Sequence, residues 1–186
     1  MAVNCNPETL AGLIPSLVKL KCDRTSEAVK TWLLAQLVGN SATPESLWAT
    51  TVAAGYNKLT LKQADQGIVF LVCHKAGGTC TPEALNAAAV SLQKFTWQQF
   101  QAAIIYLLAV AGNRTINAES FANSAVKLGF QQLPIKAMRQ IQAYLLGVYA
   151  FGSRTPKQLN TDTACWQCQG QRELLAQEVY AYCQLA

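Results

Sequence analysis

Charged side chains are scarce in this sequence of 186 residues. Asp, Glu, Lys and Arg together make up 13% of the chain, which is about half of the share usual in soluble domains. Apolar residues make up 51%, and many of the polar ones are amides, as at Gln98, Gln99 and Gln101. A surface with so few charges is weakly protected against association. We therefore expect much of this surface to be covered by other copies of the chain or by partner proteins.

Further absences narrow the classes of function. The Lys and Arg residues give a net charge of +5 but are scattered singly along the chain, a pattern that does not favour nucleic-acid binding. The longest apolar run, residues 102–111, is too short for a membrane span, which needs about 20 residues. Residues 1–5 lack the basic and apolar segments of a signal peptide, so we expect none. The seven cysteines, an odd number, are then expected to be reduced thiols.

Five segments of the chain open in the same way. They are Asn6-Pro7-Glu8-Thr9-Leu10, Thr43-Pro44-Glu45-Ser46-Leu47, Thr81-Pro82-Glu83-Ala84-Leu85, Asn117-Ala118-Glu119-Ser120-Phe121 and Thr155-Pro156-Lys157-Gln158-Leu159. A second anchor recurs in step with the first: Trp32-Leu33-Leu34, Phe70-Leu71-Val72, Tyr106-Leu107-Leu108, Tyr144-Leu145-Leu146 and Tyr180-Ala181-Tyr182. Two anchors that keep a spacing of 36–38 residues over five units indicate an internal repeat.

Each opening segment has the chemistry of a helix start. Asn or Thr is a good N-cap, proline suits the first helical position, and glutamate meets the positive end of the helix dipole. Apolar or small residues then follow at helical spacing and predict one buried face. These are Leu85, Ala89, Val90 and Leu92 in the third unit, and Phe121, Ala125, Val126 and Leu128 in the fourth. Pro15 should kink or end the first helix of the first unit.

A second helix is predicted to begin about ten residues before each aromatic anchor. Thr60 and Thr96 each fit a capping box, Pro134 fits a first-turn proline, and glycines such as Gly39 and Gly152 follow the helices. These second helices are apolar nearly all round, as in residues 104–110, which predicts burial on several sides.

The sequence therefore predicts an all-α fold of five tandem αα-hairpins, with units at about 6–42, 43–80, 81–116, 117–154 and 155–186. Such hairpins stack into a short solenoid or a compact superhelical bundle. No linker separates the units, so we interpret residues 1–186 as a single domain. Terminal units of an array face a partner on one side only, and the atypical Lys157, Thr161, Asp162 and Thr163 of the fifth unit fit such a position.

Nothing in the sequence favours catalysis, and we predict no catalytic residue, cofactor or small-molecule substrate. The lone histidine, His74, adjoins Cys73, but neighbouring helix positions point about 100° apart, which does not suit a nucleophile and its base. Four of the seven glutamates lie at helix starts, which leaves no acid–base pair. The basic residues Lys58, Lys62, Arg139 and Arg154 are expected to be solvated.

A thiol cluster is the one possible metal site. Cys165-Trp166-Gln167-Cys168 with Cys183 downstream resembles half of a zinc site, whereas a closed structural site needs four ligands. Cys183 also occupies a repeat position that takes small residues elsewhere, namely Ala35, Cys73, Ala109 and Gly147. That position explains the cysteine without a metal, and we assign no metal ligand.

Several of these pieces together carry a resemblance. They are Trp32-Leu33-Leu34-Ala35-Gln36, Tyr106-Leu107-Leu108-Ala109, Tyr144-Leu145-Leu146-Gly147, Tyr180-Ala181-Tyr182-Cys183-Gln184 and Cys165-Trp166-Gln167-Cys168. They resemble a loosely defined group of small helical-repeat proteins encoded by bacteriophages, whose units read as a capped PE-x-L helix, then cysteines, then a helix ending in YLL-[CA]-Q. The resemblance implies a particle component near the neck or tail, located in the virion and assembled in the bacterial cytoplasm, with no catalytic residues.

Three functions follow as expectations. The first is a non-enzymatic structural component of a bacteriophage particle, which assembles as an oligomer with itself or with other particle proteins. The second is a soluble helical-repeat adaptor in the cytoplasm that binds a peptide or protein along a groove. The third is a thiol–metal module formed by Cys165, Cys168 and Cys183.

Overall fold

The structure is a computed structural model that describes residues 23–39, 43–75, 81–111, 126–152 and 155–185. These residues are mostly helical, and no strand occurs among them, which confirms the all-α prediction. The α-helices are α1 (Asp23–Leu37), α2 (Pro44–Ala53), α3 (Leu61–Cys73), α4 (Pro82–Ala89), α5 (Trp97–Val110), α6 (Ile135–Phe151), α7 (Pro156–Asp162) and α8 (Gln171–Leu185). Those that contain the aromatic anchors, α1, α3, α5, α6 and α8, are called the long helices below. The opening segments at Asn6 and Asn117, and Pro15, lie outside the described residues.

Threonine caps start the helices where the sequence predicts them. The hydroxyl oxygens of Thr43, Thr81 and Thr155 each accept a hydrogen bond from the backbone N–H three residues later, with proline in the first turn. Capping boxes begin α3 at Thr60 and α5 at Thr96, as expected. The prediction for Pro134 is displaced by one residue, because this proline is the N-cap of α6 and Ile135 is the first helical residue.

The long helices pack in a closed ring that does not follow the order of the chain. Helix α1 packs against α6 and α8, α8 packs against α3, α3 against α5, and α5 against α6. In a solenoid each unit would contact only its neighbours along the chain, whereas here α8 lies between α1 and α3. The solenoid is therefore not confirmed, and α8 has long helices on both sides instead of the single partner expected for a terminal unit.

All five long helices run parallel to one another, in the same direction along the axis of the ring. Residues from the last turns of all five line one pocket, so their C-terminal ends meet at one end of the bundle. Their first residues, Leu61, Trp97 and Ile135 among them, must then lie at the opposite end. The short helices pack outside: α2 contacts α8, α4 contacts α3, and α7 contacts α1. Each short helix is followed in the chain by a long helix, and it packs on a long helix that neighbours this one in the ring.

A short 3-10 turn lies ahead of each of the long helices α3, α5, α6 and α8. The turns are Tyr56–Lys58, Val90–Leu92, Phe130–Gln132 and Trp166–Cys168. Each places one large side chain fully in the core: Tyr56, Leu92, Phe130 and Trp166. Tyr56 lies edge-on to Tyr180, and Phe130 lies edge-on to Tyr106. These contacts fix each turn on a neighbouring long helix.

The predicted apolar face of the short helices is only partly correct. Leu85, Ala89 and Leu92 are buried as expected, but Val90 is 57% exposed. Val126 and Leu128, predicted on the equivalent face, are also exposed. The chain changes from α-helix to 3-10 turn at Val90–Leu92. This change alters the angle between successive side chains and turns Val90 away from the core.

Gly67 allows α4 to approach α3. A Cβ atom built on Gly67 would lie 2.4 Å from Cδ2 and 2.9 Å from Cγ of Leu85, a residue that is 1% exposed. Glycine in the middle of a helix costs about 1 kcal/mol relative to alanine, so its presence here indicates that the space is needed for Leu85.

We predict that Gly67→Ala lowers the free energy of unfolding by about 1–2 kcal/mol, because overpacking outweighs the gain in helix propensity. Urea unfolding followed by circular dichroism measures the change. Gly170→Ala is the control, since a Cβ there would meet nothing closer than 3.8 Å. Equal or greater stability of Gly67→Ala would show that Leu85 moves aside without cost.

Candidate functional site

A cluster of polar side chains occupies the interior of the ring, where the sequence predicts only apolar contacts. The Lys30 ammonium group lies 2.8 Å from Glu27 Oε1 and 3.2 Å from Glu178 Oε1. It also donates a hydrogen bond of 2.9 Å to Oε1 of Gln142, whose amide in turn donates to Gln101 Oε1 at 2.6 Å. Lys30, Glu27 and Glu178 are each at most 5% exposed. The cluster thereby connects α1, α5, α6 and α8.

The two buried carboxyl groups of the cluster have opposite pKa shifts. Burial raises the pKa of Glu178, and the neighbouring Glu27 carboxylate raises it further. Burial opposes ionisation of Glu27 too, but the Lys30 ammonium helps to hold its pKa below the ordinary value. Glu178 therefore holds its proton more strongly than Glu27 does. For Lys30, burial lowers the pKa, but the two carboxyl groups outweigh it and keep the ammonium charged.

Asp65 lies on α3, the one long helix that the contacts of the cluster described so far do not include. This residue is 3% exposed, and its Oδ2 atom has no hydrogen-bond partner. Burial raises its pKa to about 7, with a further upward contribution from Glu27 and an opposing one from Lys30 and Arg139. Arg139, expected to be solvated, is only partly exposed and acts electrostatically on Glu27, Lys30 and Asp65. The neutral form of Asp65 is favoured because it needs no compensating charge.

An apolar pocket lies on the same axis, at the C-terminal end of the ring. Its empty volume is about 410 Å³, which includes space that is open to solvent. All five long helices or the residues just after them contribute to its lining, which comprises Leu37, Leu71, Val72, Lys75, Leu108, Ala111, Leu145, Leu146, Tyr149, Tyr182 and Leu185. Tyr182 belongs to both features: its side chain lines the pocket, while its buried hydroxyl has no hydrogen-bond partner and is affected by Glu178 and Glu27. Burial and these two groups raise the pKa of Tyr182.

At the rim of the pocket, Lys75 and Tyr149 form a polar pair. The Lys75 ammonium lies over the Tyr149 ring, 3.9 Å from its centre, and donates a hydrogen bond to the Tyr149 hydroxyl. Lys75 is the one charged side chain among the described residues that line the pocket. The arrangement can bind an apolar group and leave a positive charge at its edge.

The structure separates the thiols that the sequence groups together. Cys165 and Cys168 are exposed on the Trp166–Cys168 turn, whereas Cys183 is buried and accepts a hydrogen bond of 2.9 Å from the Tyr56 hydroxyl. Within the described ranges, no three His, Cys, Asp or Glu side chains come together in a way that could hold a metal ion. The third expectation, a module of all three cysteines in one chain, has no support in this arrangement.

His74 and Cys73 do not form a nucleophilic pair. The imidazole is exposed at the C-cap of α3 and packs against the Phe70 ring, 4.5 Å between centres. Cys73 is buried, and burial raises the pKa of its thiol to about 12. A thiol with so high a pKa holds its proton at neutral pH and is a poor nucleophile.

The sequence pattern does not by itself reveal the polar cluster, because the members of the cluster are spread over the chain. The members of the cluster occupy two positions of the repeat. One lies five residues before the aromatic anchor of a unit, and the other lies two residues before it. The first position holds Glu27, Asp65, Gln101 and Arg139, and the second holds Lys30, Gln142 and Glu178. Alignment of the units on their anchors would have shown two polar columns inside helices that otherwise look apolar. Lys58 and Lys62 are exposed as predicted, and Arg154 lies outside the described residues.

We predict that Asp65→Asn changes how stability depends on pH. In the wild type, the stabilisation from neutral Asp65 is complete below the unfolded pKa near 3.8 and is lost as the pH rises through about 7. The loss corresponds to roughly 4 kcal/mol at most. Asparagine cannot ionise, so the free energy of unfolding of the variant, relative to wild type, should increase between pH 4.5 and pH 8. Urea unfolding at several pH values measures it, and parallel profiles for the two proteins would contradict the assignment.

A second prediction concerns Lys30, the only lysine among the described residues whose side chain is buried. Replacement by methionine leaves the Glu27 carboxylate buried without its counter-charge and removes the polar partner of Glu178, so Lys30→Met should cost about 3–5 kcal/mol in the free energy of unfolding. Lys62→Met on the surface of α3 is the matched control and should change stability by less than about 0.5 kcal/mol. Similar melting temperatures for the two variants would show that the cluster contributes little.

Comparison with known proteins finds no relative of this chain. No family model matches the sequence, and neither a curated protein nor a solved structure matches it. Among the described helices, none has the length and apolar character that crossing a membrane requires.

Proposed function

We propose that the protein is a non-enzymatic assembly component that joins further copies of itself or other particle proteins through the end of the ring where the long helices begin. The observation that supports this proposal is a set of exposed apolar side chains at the same position of three long helices. Leu61, Trp97 and Ile135 are the first residues of α3, α5 and α6, and they are 48%, 44% and 40% exposed. We call these three residues the apolar end face.

The residues of the apolar end face belong to neighbouring helices. Helices α3 and α5 pack together, as do α5 and α6, so their first residues lie side by side at one end of the ring. Further exposed apolar residues occur in the segments that lead into these helices, namely Val52, Val90, Val126 and Leu128. Exposed apolar side chains that lie near one another are typical of protein–protein contacts.

The rest of this end differs in character. Nine residues before the aromatic anchor, where α3, α5 and α6 have Leu61, Trp97 and Ile135, α1 and α8 have Asp23 and Gln171, so the apolar residues at this position belong to three adjacent helices of the five. The asymmetry suits one directional contact with a neighbour rather than five equal ones. Low overall charge supports the same use, because few like charges oppose association.

Under this proposal the five helix pairs are repeats of one unit that serve as a rigid body for the contact. We infer from the resemblance to phage-encoded repeat proteins that the particle is a bacteriophage, with the protein at the neck or tail after assembly in the bacterial cytoplasm. Its partners are other copies or other particle proteins, and neither a substrate nor nucleic acid takes part.

The apolar pocket at the other end favours a second candidate, a soluble adaptor in the cytoplasm. Its lining accepts an apolar side chain of a peptide or protein partner, and Lys75 at the rim could pair with an acidic group beside it. The two functions use opposite ends of the ring. Substitutions at one end therefore separate them.

We predict that the triple variant Leu61→Gln, Trp97→Gln and Ile135→Gln shifts the wild-type oligomer toward the monomer, because the contact loses its apolar area. Sedimentation velocity over a range of concentrations measures the shift. Tyr149→Gln is the matched control, since Tyr149 is 50% exposed at the pocket end and should leave association unchanged. A wild-type chain that stays monomeric at high concentration and is absent from purified particles would refute the proposal.

A further inference from the structure

Cations that are scattered singly along the sequence meet at one end of the ring. Each long helix has one exposed basic residue at its start or within three residues before it. Because the long helices all begin at the same end of the ring, these residues surround that end. We call them the basic rim; they are Arg24 on α1, Lys62 on α3, Lys94 just ahead of α5, Lys136 on α6 and Arg172 on α8.

Neighbouring carboxylates do not neutralise the basic rim. None of its five members forms an ion pair with another described residue. Two further exposed cations, Lys58 and Lys127, lie in the segments that lead into α3 and α6. Three acidic residues occur in or beside the same segments of the sequence: Asp23, Asp162 and Glu173. Outside the described ranges the sequence has only two more acids, too few to balance the seven cations. This end of the ring is therefore positively charged.

The long helices add a positive potential to the same end. The free N–H groups at a helix start carry a partial positive charge, and all five long helices start here. The apolar end face lies among these charges, since Lys62 follows Leu61 and Lys136 follows Ile135 in the sequence. One end of the ring thus combines exposed apolar side chains with exposed cations.

This combination matches the surface of a bilayer that contains anionic lipids. Tryptophan prefers the boundary between lipid headgroups and acyl chains, and leucine and isoleucine can enter the apolar layer beside it. Lysine and arginine keep their charged groups among the lipid phosphates while their aliphatic stems lie along apolar neighbours. Leu61, Trp97 and Ile135 are the first residues of their helices, so they can insert while the helices stay in water.

The distribution of the cations favours a bilayer over other polyanions. The basic rim has one member for each of the five long helices, so positive charge surrounds the whole end. Lipids are laterally mobile and can move to each cation, so no fixed pattern of partner charges is needed. Nucleic acid offers phosphates and base edges but no apolar layer for Leu61 and Ile135.

We propose that this end of the ring binds reversibly to a bilayer surface that contains anionic phospholipids, with the basic rim at the phosphates and the apolar end face inserted. The chain lies on the surface and does not cross it. A bilayer would cover the residues that the proposed protein contact uses, so the two contacts exclude each other. The inference goes beyond the proposed function and does not rest on it, because it requires neither a second chain nor a particle.

The test uses the full, reduced chain and large unilamellar vesicles. Sedimentation with vesicles of phosphatidylcholine alone is compared with sedimentation with mixed vesicles, which contain equal amounts of phosphatidylcholine and phosphatidylglycerol. We expect the chain to bind the mixed vesicles, to bind the neutral ones far less, and to be released by added NaCl, because salt screens the charges. Equal binding to both kinds of vesicle, or no binding to the mixed ones, would overturn the proposal.

Charge reversal at two matched lysines identifies the end that binds. Lys136→Glu changes the second residue of α6 at the basic rim, whereas Lys157→Glu changes the second residue of α7, a short helix that ends near the rim instead of beginning there. Both lysines are exposed. Lys136→Glu should weaken binding to the mixed vesicles about 25-fold, since it changes two units of charge at about 1 kcal/mol each. Lys157→Glu should weaken it by less than about threefold, because that charge is farther from the bilayer and screened. Equal losses would show that net charge alone governs binding and would refute the assignment of this end.

Insertion of the apolar end face has a signal of its own. Trp97 is 44% exposed, so its fluorescence should shift to shorter wavelength when the mixed vesicles are added. Trp97→Phe should bind somewhat more weakly and lose most of the shift, and an unchanged shift in this variant would contradict insertion. Association of the chain is measured separately, by sedimentation velocity without lipid. Failure to bind vesicles therefore leaves the proposed function intact, and a chain that stays monomeric can still confirm this inference.

Discussion

The Lys30 ammonium group is the point at which three of the long helices are joined. It lies between Glu27 on its own helix, Glu178 on α8 and Gln142 on α6, in a region that solvent does not reach. A buried charge of this kind is tolerable only while its partners stay in place. The order in which the helices close the ring is therefore tied to this contact, since α8 must lie beside α1 for Glu178 to reach Lys30.

The position of α8 also explains where the short helices and turns go. Because α8 lies between α1 and α3, the Trp166–Cys168 turn packs on α1, and the Tyr56–Lys58 turn packs on α8. Arg172 at the start of α8 donates hydrogen bonds to the backbone oxygens of Asn57 and Leu59, which fixes the second of these contacts. Each unit is completed by a neighbour in the ring, and a single pair of helices would leave its anchors exposed.

The two ends of the ring differ in chemistry for a structural reason. At the C-terminal end, apolar side chains from all five long helices converge on one pocket, with a lysine and a tyrosine at its rim. At the other end, three adjacent helices begin with apolar residues that are 40–48% exposed. The polar cluster lies inside the ring, between the helices whose ends form these two surfaces. The two ends of the ring therefore offer different surfaces, one with an apolar pocket and one with exposed apolar side chains.

Much of the local structure follows from the sequence alone, and the reason is that its causes are local. Thr60 and Thr96 cap their helices through side chains within three residues, so their capping boxes can be recognised without coordinates. Periodicity likewise indicates which helices are buried. The order of the ring cannot be obtained this way, because α8 could pack beside several apolar helices that look alike in sequence. The same holds for the cluster: Glu27, Asp65 and Glu178 are ordinary helical residues until the tertiary fold places them around one lysine and removes the water that would otherwise solvate them. Sequence determined where the capped helices begin and which of them are buried, because caps and periodicity are local. Tertiary packing decided which charges meet, which apolar residues remain exposed and which thiols stand apart.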